Sequence, residues 1–228
     1  MAATIETYFV PTTLYRYRSL GAKSLARELK ALKEGHIFCP RFDELNDPME
    51  SEHRVSKLLK RSQRYPTIAA RLETKVNSIG IASFSESRVL EPMWAYYADN
   101  FRGMCVAYSM SRLKNALPDE CQLARIGYNE TPPLLSVLTR DLDERARAVL
   151  CAKTVRWSHE REWRLFAPSR GAVTYSNKEC VTAVYLGKRM EPSTRDQLLM
   201  VLDACAIEAH LMDIKSYRLK FTKRTARP

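Results

Sequence analysis

The sequence predicts a single α+β domain, built around a split mixed or antiparallel sheet with flanking helices. The chain has 228 residues, of which 45% are hydrophobic, so it is long enough to bury one substantial core. No internal repeat, low-complexity block or Pro/Gly/Ser-rich linker divides residues 1–228 into separate domains. Segments with helical and strand periodicity follow each other in uneven runs, which favours an α+β fold over a regularly alternating, doubly wound sheet.

The N-terminal part begins with a predicted strand, helix and strand. Residues 14–19 alternate in the manner of a strand. Three leucines then recur at helical spacing over residues 25–32, and Gly35 is positioned to end that helix. Residues 36–40 are predicted to form the next strand.

A helix start is predicted near residue 47. Asp47 can cap a helix, Pro48 suits the first helical position, and Glu50 stands where a capping box needs an acid. Two helices are therefore predicted within residues 49–78, the second opened by Pro66.

The rest of the chain mixes both periodicities. Regularly spaced apolar residues from Leu134 to Val149 predict one long helix. The other predicted elements are strands at 81–85, 104–108, 162–166, 173–176 and 181–186, helices at 92–101 and 192–204, and two terminal strands.

The chain is strongly basic. Its 37 Lys and Arg residues exceed its 26 Asp and Glu residues, which gives a net charge of +11. Such a charge attracts polyanions, so nucleic acid, nucleotides or an acidic protein are the expected partners. The basic residues are densest at the C-terminal end, over residues 215–228.

Several classes of protein are disfavoured. No apolar run is long enough for a membrane span, and residues 1–7 lack the features of a secretory signal, so a cytoplasmic protein without membrane contact is expected. The six cysteines form no Cys-x-x-Cys pair and are interpreted as small buried hydrophobic residues. The seven glycines form no phosphate-binding loop, and the four histidines are isolated. Neither a disulfide nor a metal is predicted.

One carboxylate stands out in the predicted strand at 162–166. Because side chains alternate along a strand, Glu162 and Arg164 share one face with Phe166. Taken alone, the pattern favours an edge strand with an ion pair in solvent. The aromatic residues of segment 94–101 are likewise more typical of a core than of a ligand site.

Four motifs together resemble a widespread bacterial domain family of unassigned function. They are LYRYRS at 14–19, FDELNDPMES at 42–51, PMWAYYADNFRG at 92–103 and EREWRLF at 160–166. Their order is also remotely similar to that of the ADP-ribosyltransferase and poly(ADP-ribose) polymerase superfamily.

This second resemblance implies an enzyme that uses NAD as a substrate, without a metal. It implies that Glu162 is the catalytic carboxylate. Glu160, two residues earlier and expected on the same strand face, would be a base on the side of the acceptor, and a solvent-exposed charge explains Glu160 equally well. ADP-ribose would pass to a macromolecule, such as nucleic acid or an acidic protein, in a toxin or anti-phage effector. The implied cofactor-binding residues are Arg16 for a phosphate or ribose, Ser83 and Ser85 for positioning, Phe84 and Tyr97 for stacking on nicotinamide, and Tyr15, Tyr17 and Asn46 around them.

The chain departs from the superfamily at two of these positions. Tyr17 stands where the polymerases have a small glycine, and Phe84 lacks the hydroxyl of their tyrosine. Two other functions stay open. One is a non-catalytic nucleic-acid-binding module in which Tyr15, Tyr17, Trp94 and Tyr97 stack on bases while surrounding Arg and Lys residues contact phosphate. The other is a sensor or hydrolase that binds a nucleotide in the same cleft. The sequence does not identify the oligomeric state.

Overall fold

The computed structural model of the chain describes residues 10–21, 24–139 and 141–225. Residues 1–7, on which the prediction of no secretory signal rests, lie outside this part. The predicted α+β class is confirmed.

The strands are β1 (Thr13–Arg18), β2 (His36–Cys39), β3 (Arg54–Val55), β4 (Gly80–Ser85), β5 (Met104–Ser109), β6 (Gln122–Arg125), β7 (Gly127–Asn129), β8 (Leu134–Leu135), β9 (Ala152–Thr154), β10 (Glu162–Ala167), β11 (Gly171–Thr174), β12 (Val181–Leu186), β13 (Glu208–Lys215) and β14 (Arg218–Lys223). The helices are α1 (Leu25–Glu34), α2 (Lys57–Lys60), α3 (Tyr65–Ser78), α4 (Glu91–Tyr96), α5 (Met110–Ala116), α6 (Leu142–Leu150) and α7 (Pro192–Ala204).

The described residues form two compact units, each assembled from separate stretches of chain. Unit 1 contains the described residues of segments 38–83 and 119–171, together with residue 10. Unit 2 contains the described residues of segments 11–37, 84–118 and 172–228. Neither unit could therefore be cut from the sequence as one continuous piece.

Unit 2 contains a mixed sheet, as predicted. Its strands follow the order β14-β13-β12-β5-β1. β12 and β13 are parallel, whereas the other neighbouring pairs are antiparallel. An aromatic core packs on this sheet: Trp94 is fully buried, and its ring meets that of Tyr17 edge to face at 5.3 Å between centroids.

Unit 1 is built around β10. This strand pairs antiparallel with β6 on one side and neighbours β4, of which residues 80–83 belong to this unit, on the other. Helices α3 and α6 contribute Leu72, Val76, Val149 and Leu150 to the core, and each of these residues is buried. Every residue of β10 is buried as well. A carboxylate on this strand is therefore withdrawn from water.

Several sequence predictions are confirmed. α1 ends where Gly35 adopts a left-handed conformation with φ of 78° and donates its N–H to the carbonyl of Ala31. α7 and β12 occupy the predicted residues, and two terminal strands follow α7. Four of the six cysteines are buried, in agreement with their interpretation as hydrophobic residues.

The prediction of a helix that starts near residue 47 was wrong. Residues 48–50 form a turn, in which the Asp47 carboxylate accepts the N–H of Met49 at 3.0 Å. β3 and the short helix α2 follow, and only α3 matches the second predicted helix. The capping pattern fitted a turn equally well, because both use the same side-chain to backbone hydrogen bond.

The long helix predicted from Leu134 to Val149 was also wrong in its first half. Leu134 belongs to β8, which pairs in parallel with β3. The helix is α6 alone, where the Asp141 carboxylate caps by accepting the N–H of Glu144 at 3.0 Å. Residue 140, within the predicted helix, lies outside the described residues. The prediction was too long because leucines at helical spacing occur on both sides of the true start of the helix, which is the cap at Asp141.

Two further segments differ from simple expectation. The helix predicted at 92–101 ends at Tyr96, because residues 99–101 all have positive φ. The basic C-terminal segment forms β14 up to Lys223, with residues 226–228 outside the described part. In the described residues, no helix is long and apolar enough to cross a membrane.

Candidate functional site

A buried charge cluster in unit 1 is the candidate site. Its centre is Arg164 on β10, whose side chain has no solvent exposure. The two terminal nitrogens of Arg164 donate to the carboxylate of Glu50 at 2.8 and 2.5 Å, as a bidentate pair. Its Nε donates to Oε1 of Glu162 at 2.8 Å, and Nη1 also donates to the carbonyl of Leu150 at 2.7 Å.

Lys153 on β9 is the second cation of the cluster. Its Nζ lies 2.7 Å from Oε2 of Glu160 and 3.3 Å from Oε2 of Glu162. It also lies 4.0 Å from Oε1 of Glu50 and 4.8 Å from the centre of the Trp157 ring. Only 5% of the Lys153 side chain is exposed. We call Glu50, Lys153, Glu160, Glu162 and Arg164 the charge cluster.

Two hydroxyl groups complete the surroundings of Glu162. The hydroxyl of Ser83 on β4 donates to the Glu162 carboxylate. The hydroxyl of Tyr128 accepts the backbone N–H of Glu162 at 2.8 Å. The carboxylate and the backbone of Glu162 are thus held from three strands, β4, β7 and β10.

Glu162 stays ionised in this setting. Burial by itself raises the pKa of Glu162, but Arg164, Lys153 and the hydrogen bond from Ser83 lower it to about 2. Glu50 differs, because burial and the nearby charge of Glu162 raise its pKa despite Arg164. Burial lowers the pKa of Lys153, and Glu162 and Glu160 more than compensate.

The strand pattern of β10 explains part of this geometry. Glu162 and Arg164 lie two residues apart and share a face, as the sequence predicted. The interpretation as a solvent-exposed ion pair was wrong, because β6 and β4 flank β10 and Glu162 is only 3% exposed.

Glu160 does not lie on β10. It ends a 3₁₀ turn, Val155–Glu160, and the next residue, Arg161, has φ of 48° and redirects the chain into the strand. The prediction that Glu160 and Glu162 share a strand face was therefore wrong. Lys153 nevertheless brings their carboxylates together, and Glu160 is buried rather than solvent-exposed.

A pocket of about 250 Å³ borders the cluster. Lys153 lines it together with Arg156, Asn129, Thr131 and Thr154. This volume is slightly below the range typical of small-molecule sites, and the lining offers donors and acceptors for a polar ligand. Lys153 belongs to both the cluster and the pocket, so a ligand in the pocket would contact the cluster through it.

A second pocket, in the same unit, has a different character. It measures about 330 Å³, and its walls are mostly apolar side chains such as Leu59, Leu72 and Leu135. Its titratable lining residues are His53, Tyr65 and Glu73. The pocket beside Lys153 is therefore the better candidate for chemistry.

The cluster is not arranged as a metal site. Among residues 10–21, 24–139 and 141–225, no group of three or more His, Cys, Asp or Glu could hold a metal ion. The three carboxylates of the cluster instead face Lys153 and Arg164.

Most of the other predicted site residues lie in unit 2. Arg16 is 7% exposed, and its guanidinium lies 5.9 Å from the centre of the Phe84 ring, which is buried. Ser85 is fully buried, and its hydroxyl accepts the N–H of Ser87 at 3.2 Å. The assignment of Arg16 to a phosphate stays a prediction from resemblance.

The predicted aromatic residues of unit 2 are largely internal. The Tyr17 hydroxyl donates to the carbonyl of Ser87 at 2.8 Å, and this side chain is 6% exposed. Tyr15 is half-buried and accepts a hydrogen bond from Arg88 at 3.1 Å. Tyr97 is half-buried and packs against the aromatic core. Trp94 is fully buried, so a nucleic-acid base could stack on neither Trp94 nor Tyr17 without disrupting that core.

In unit 1, Asn46 is exposed in a bend before the Asp47 turn. Sequence reasoning missed Glu50 and Lys153. Glu50 was interpreted as part of a helix cap. Its place in the motif FDELNDPMES, which carries the resemblance to the family, was the signal that could have marked it as a site residue. Lys153 has no local signal, since its partners become visible only when β9 and β10 are folded.

Comparison with known proteins gives one family match. Residues 93–165 match a family described as "Protein of unknown function (DUF2971)". This agrees with the resemblance to a family of unassigned function, and the matched segment contains Lys153, Glu160, Glu162 and Arg164. No curated protein and no solved structure matches the chain.

Proposed function

We propose that this protein is an NAD-consuming enzyme of the ADP-ribosyltransferase type and that Glu162 is its catalytic carboxylate. One observation carries the proposal. Glu162 begins a buried strand and is held by a serine hydroxyl of the neighbouring strand, Ser83, within a cluster that keeps it ionised. A preorganised, charged carboxylate is what the reaction requires.

In the proposed reaction, the bond between nicotinamide and C1′ of the ribose breaks. Nicotinamide leaves with the electron pair, and positive charge develops on the sugar. Glu162 accepts a hydrogen bond from the ribose 2′-hydroxyl and stabilises that charge, as carboxylates do in glycoside cleavage. A nucleophilic oxygen or nitrogen of the acceptor then bonds to C1′, and Glu160 takes the proton that the acceptor loses.

The pocket beside Lys153 is the proposed route of the substrate to Glu162. Arg164 engages both oxygens of Glu162, Oε1 through Nε at 2.8 Å and Oε2 through Nη2 at 3.2 Å, and Oε2 also lies 3.3 Å from Lys153. A substrate hydroxyl at Oε2 must therefore displace or share the contact with Lys153. The flexible four-carbon stem of lysine allows that exchange, whereas the bidentate pairing of Arg164 resists it.

The test is release of free nicotinamide from NAD, measured by chromatography with nucleic-acid and protein acceptors. Glu162→Gln should lower the rate by at least about 100-fold, the size expected for loss of a main electrostatic stabiliser. Ser83→Ala should lower it by roughly 10- to 100-fold, since one hydrogen bond to a charged group is lost. Glu73→Gln, which changes an exposed carboxylate of the same unit, serves as the matched control.

The reaction products distinguish an ADP-ribosyltransferase from an NAD hydrolase. A conjugate of ADP-ribose with the acceptor supports transfer, whereas free ADP-ribose identifies a hydrolase. If the wild-type protein releases no nicotinamide with any acceptor, NAD is not the substrate. Circular dichroism of each variant separates a loss of activity from a loss of fold.

A further inference from the structure

The hairpin of β13 and β14 in unit 2 has an unusual tip. Lys215 pairs with Arg218, so the loop between the strands consists of Ser216 and Tyr217 alone. Both loop residues have positive φ, 53° and 55°. A two-residue turn with this backbone strongly favours Asn-Gly or similar sequences, because other side chains are strained there.

The side chains at the tip add two further costs. Tyr217 is 100% exposed, so its ring lies fully in water. Lys215 and Arg218 stand directly opposite each other, and like charges in that position repel. Strain and repulsion that the fold does not need are commonly retained at binding sites.

Three cations of the hairpin, Lys215, Arg218 and Lys220, share one face. Lys220 pairs with Asp213, two residues further from the tip, so it points to the same side as Lys215 and Arg218. Asp213 is already bound by Lys188 at 2.9 Å. The opposite face carries apolar side chains such as Met212 and Phe221, which pack into the aromatic core of the unit.

Charged residues on an edge strand also protect a sheet from aggregation, and β14 is the outermost strand of the sheet of unit 2. That explanation accounts for Lys220. It does not account for a fully exposed tyrosine on a strained turn, or for a lysine opposite an arginine.

We infer that the tip of this hairpin binds single-stranded nucleic acid, with Tyr217 stacking on a base and Lys215, Arg218 and Lys220 contacting the phosphates. An exposed aromatic ring among cations is the combination that such proteins use. The net charge of +11 favours the same partner. A membrane surface fits less well, because interfacial anchoring needs a broader apolar face than one ring supplies.

The experiment measures binding of a fluorescein-labelled single-stranded oligonucleotide by anisotropy, between about 50 and 200 mM salt. The double variant Ser216→Asn with Tyr217→Gly relaxes the turn and keeps every cation. It should bind roughly 5- to 150-fold more weakly, the range expected for one lost stacking contact. Tyr96→Ala removes another exposed tyrosine of unit 2 and should bind like the wild type.

A second variant tests the charges. Lys215→Thr with Arg218→Thr should reduce the slope of log affinity against log salt by about 1.4, since each lost phosphate contact contributes about 0.7. Equal binding by the wild type and the turn variant would overturn the inference, and so would a preference for anionic lipid vesicles or acidic peptides. NAD is omitted throughout, so failure here leaves the proposed activity of Glu162 untouched, and failure of that activity leaves this result standing.

Discussion

The charge cluster of unit 1 and the hairpin tip of unit 2 hold their charges in opposite ways. In the cluster, Arg164 is fully buried and each of its nitrogens donates to an acceptor. At the tip, Lys215 and Arg218 are exposed and face each other across two strands. The charge cluster is stabilised by pairing of opposite charges, whereas the two cations at the hairpin tip repel each other.

The difference between the two regions shows how a charge that stabilises the fold can be distinguished from one that does not. Removing one partner of a buried ion pair leaves the other uncompensated in a medium that solvates it poorly, which destabilises the protein. Removing one of two repelling surface charges relieves strain instead. Variants of the two regions should therefore change stability with opposite signs.

The largest expected effect is that of Arg164→Met. This change leaves Glu50 and Glu162 buried without their main cation, so the free energy of unfolding should fall by about 3–5 kcal/mol. Urea denaturation followed by circular dichroism measures it. Arg170→Met is the matched control, because Arg170 pairs with Glu44 at the surface, where solvent screens the pair, and its loss should change stability much less. A similar loss in both variants would remove the distinction between buried and exposed pairs.

The next effect is a dependence on pH. The folded pKa of Glu162 is lowered to about 2, below its usual value, so its ionisation stabilises the fold above roughly pH 4 and ceases to do so as the pH falls towards 2. The stability advantage of the wild type over Glu162→Gln should therefore shrink between pH 6 and about pH 3. Thermal unfolding of both proteins at each pH measures this. A constant difference would mean that Glu162 does not contribute through its charge.

A smaller effect, of opposite sign, is expected at the hairpin. Ser216→Asn with Tyr217→Gly supplies the residues that this turn favours, and the free energy of unfolding should rise by about 1–2 kcal/mol. Chemical denaturation of the variant beside the wild type gives the value. A loss of stability would show that the Tyr217 ring makes a contact on which the fold depends.

The smallest effect concerns the repelling pair. Lys215→Thr should raise stability by about 0.2–1 kcal/mol at low salt, because Arg218 then no longer faces a like charge. The gain should disappear at about 1 M salt, where the Debye length is near 3 Å. Persistence of the whole gain at high salt would assign it to strand propensity rather than to charge.

The extent of successful sequence prediction differs between the two units. In unit 2, α1, β12 and α7 follow from local periodicity and from the end signal at Gly35. In unit 1, residues 49–64 belonged to a segment predicted as helix and contain part of a turn, β3 and α2. Short elements there are stabilised by pairing with β8, a contact that no local pattern encodes.

The candidate site shows the same division. The resemblance singled out Glu162 and Ser83, and the structure joins their side chains by a hydrogen bond. Their roles in catalysis stay predictions. The resemblance did not predict Glu50 and Lys153, which are the partners of Arg164 and Glu162. Glu50 lies 114 residues before Arg164 in the chain, and its capping pattern explained it adequately without any partner.

The sequence by itself determined that Glu162 and Arg164 share one face of a strand, because side-chain alternation is a local property of the backbone. Only the tertiary structure decided that this face is buried, since Glu50 and Lys153, from other segments of the chain, pack against Arg164 and Glu162 there. The same holds for Tyr217. Its position between two strands is local, but its full exposure beside a face of cations results from packing the opposite face of the hairpin into the core.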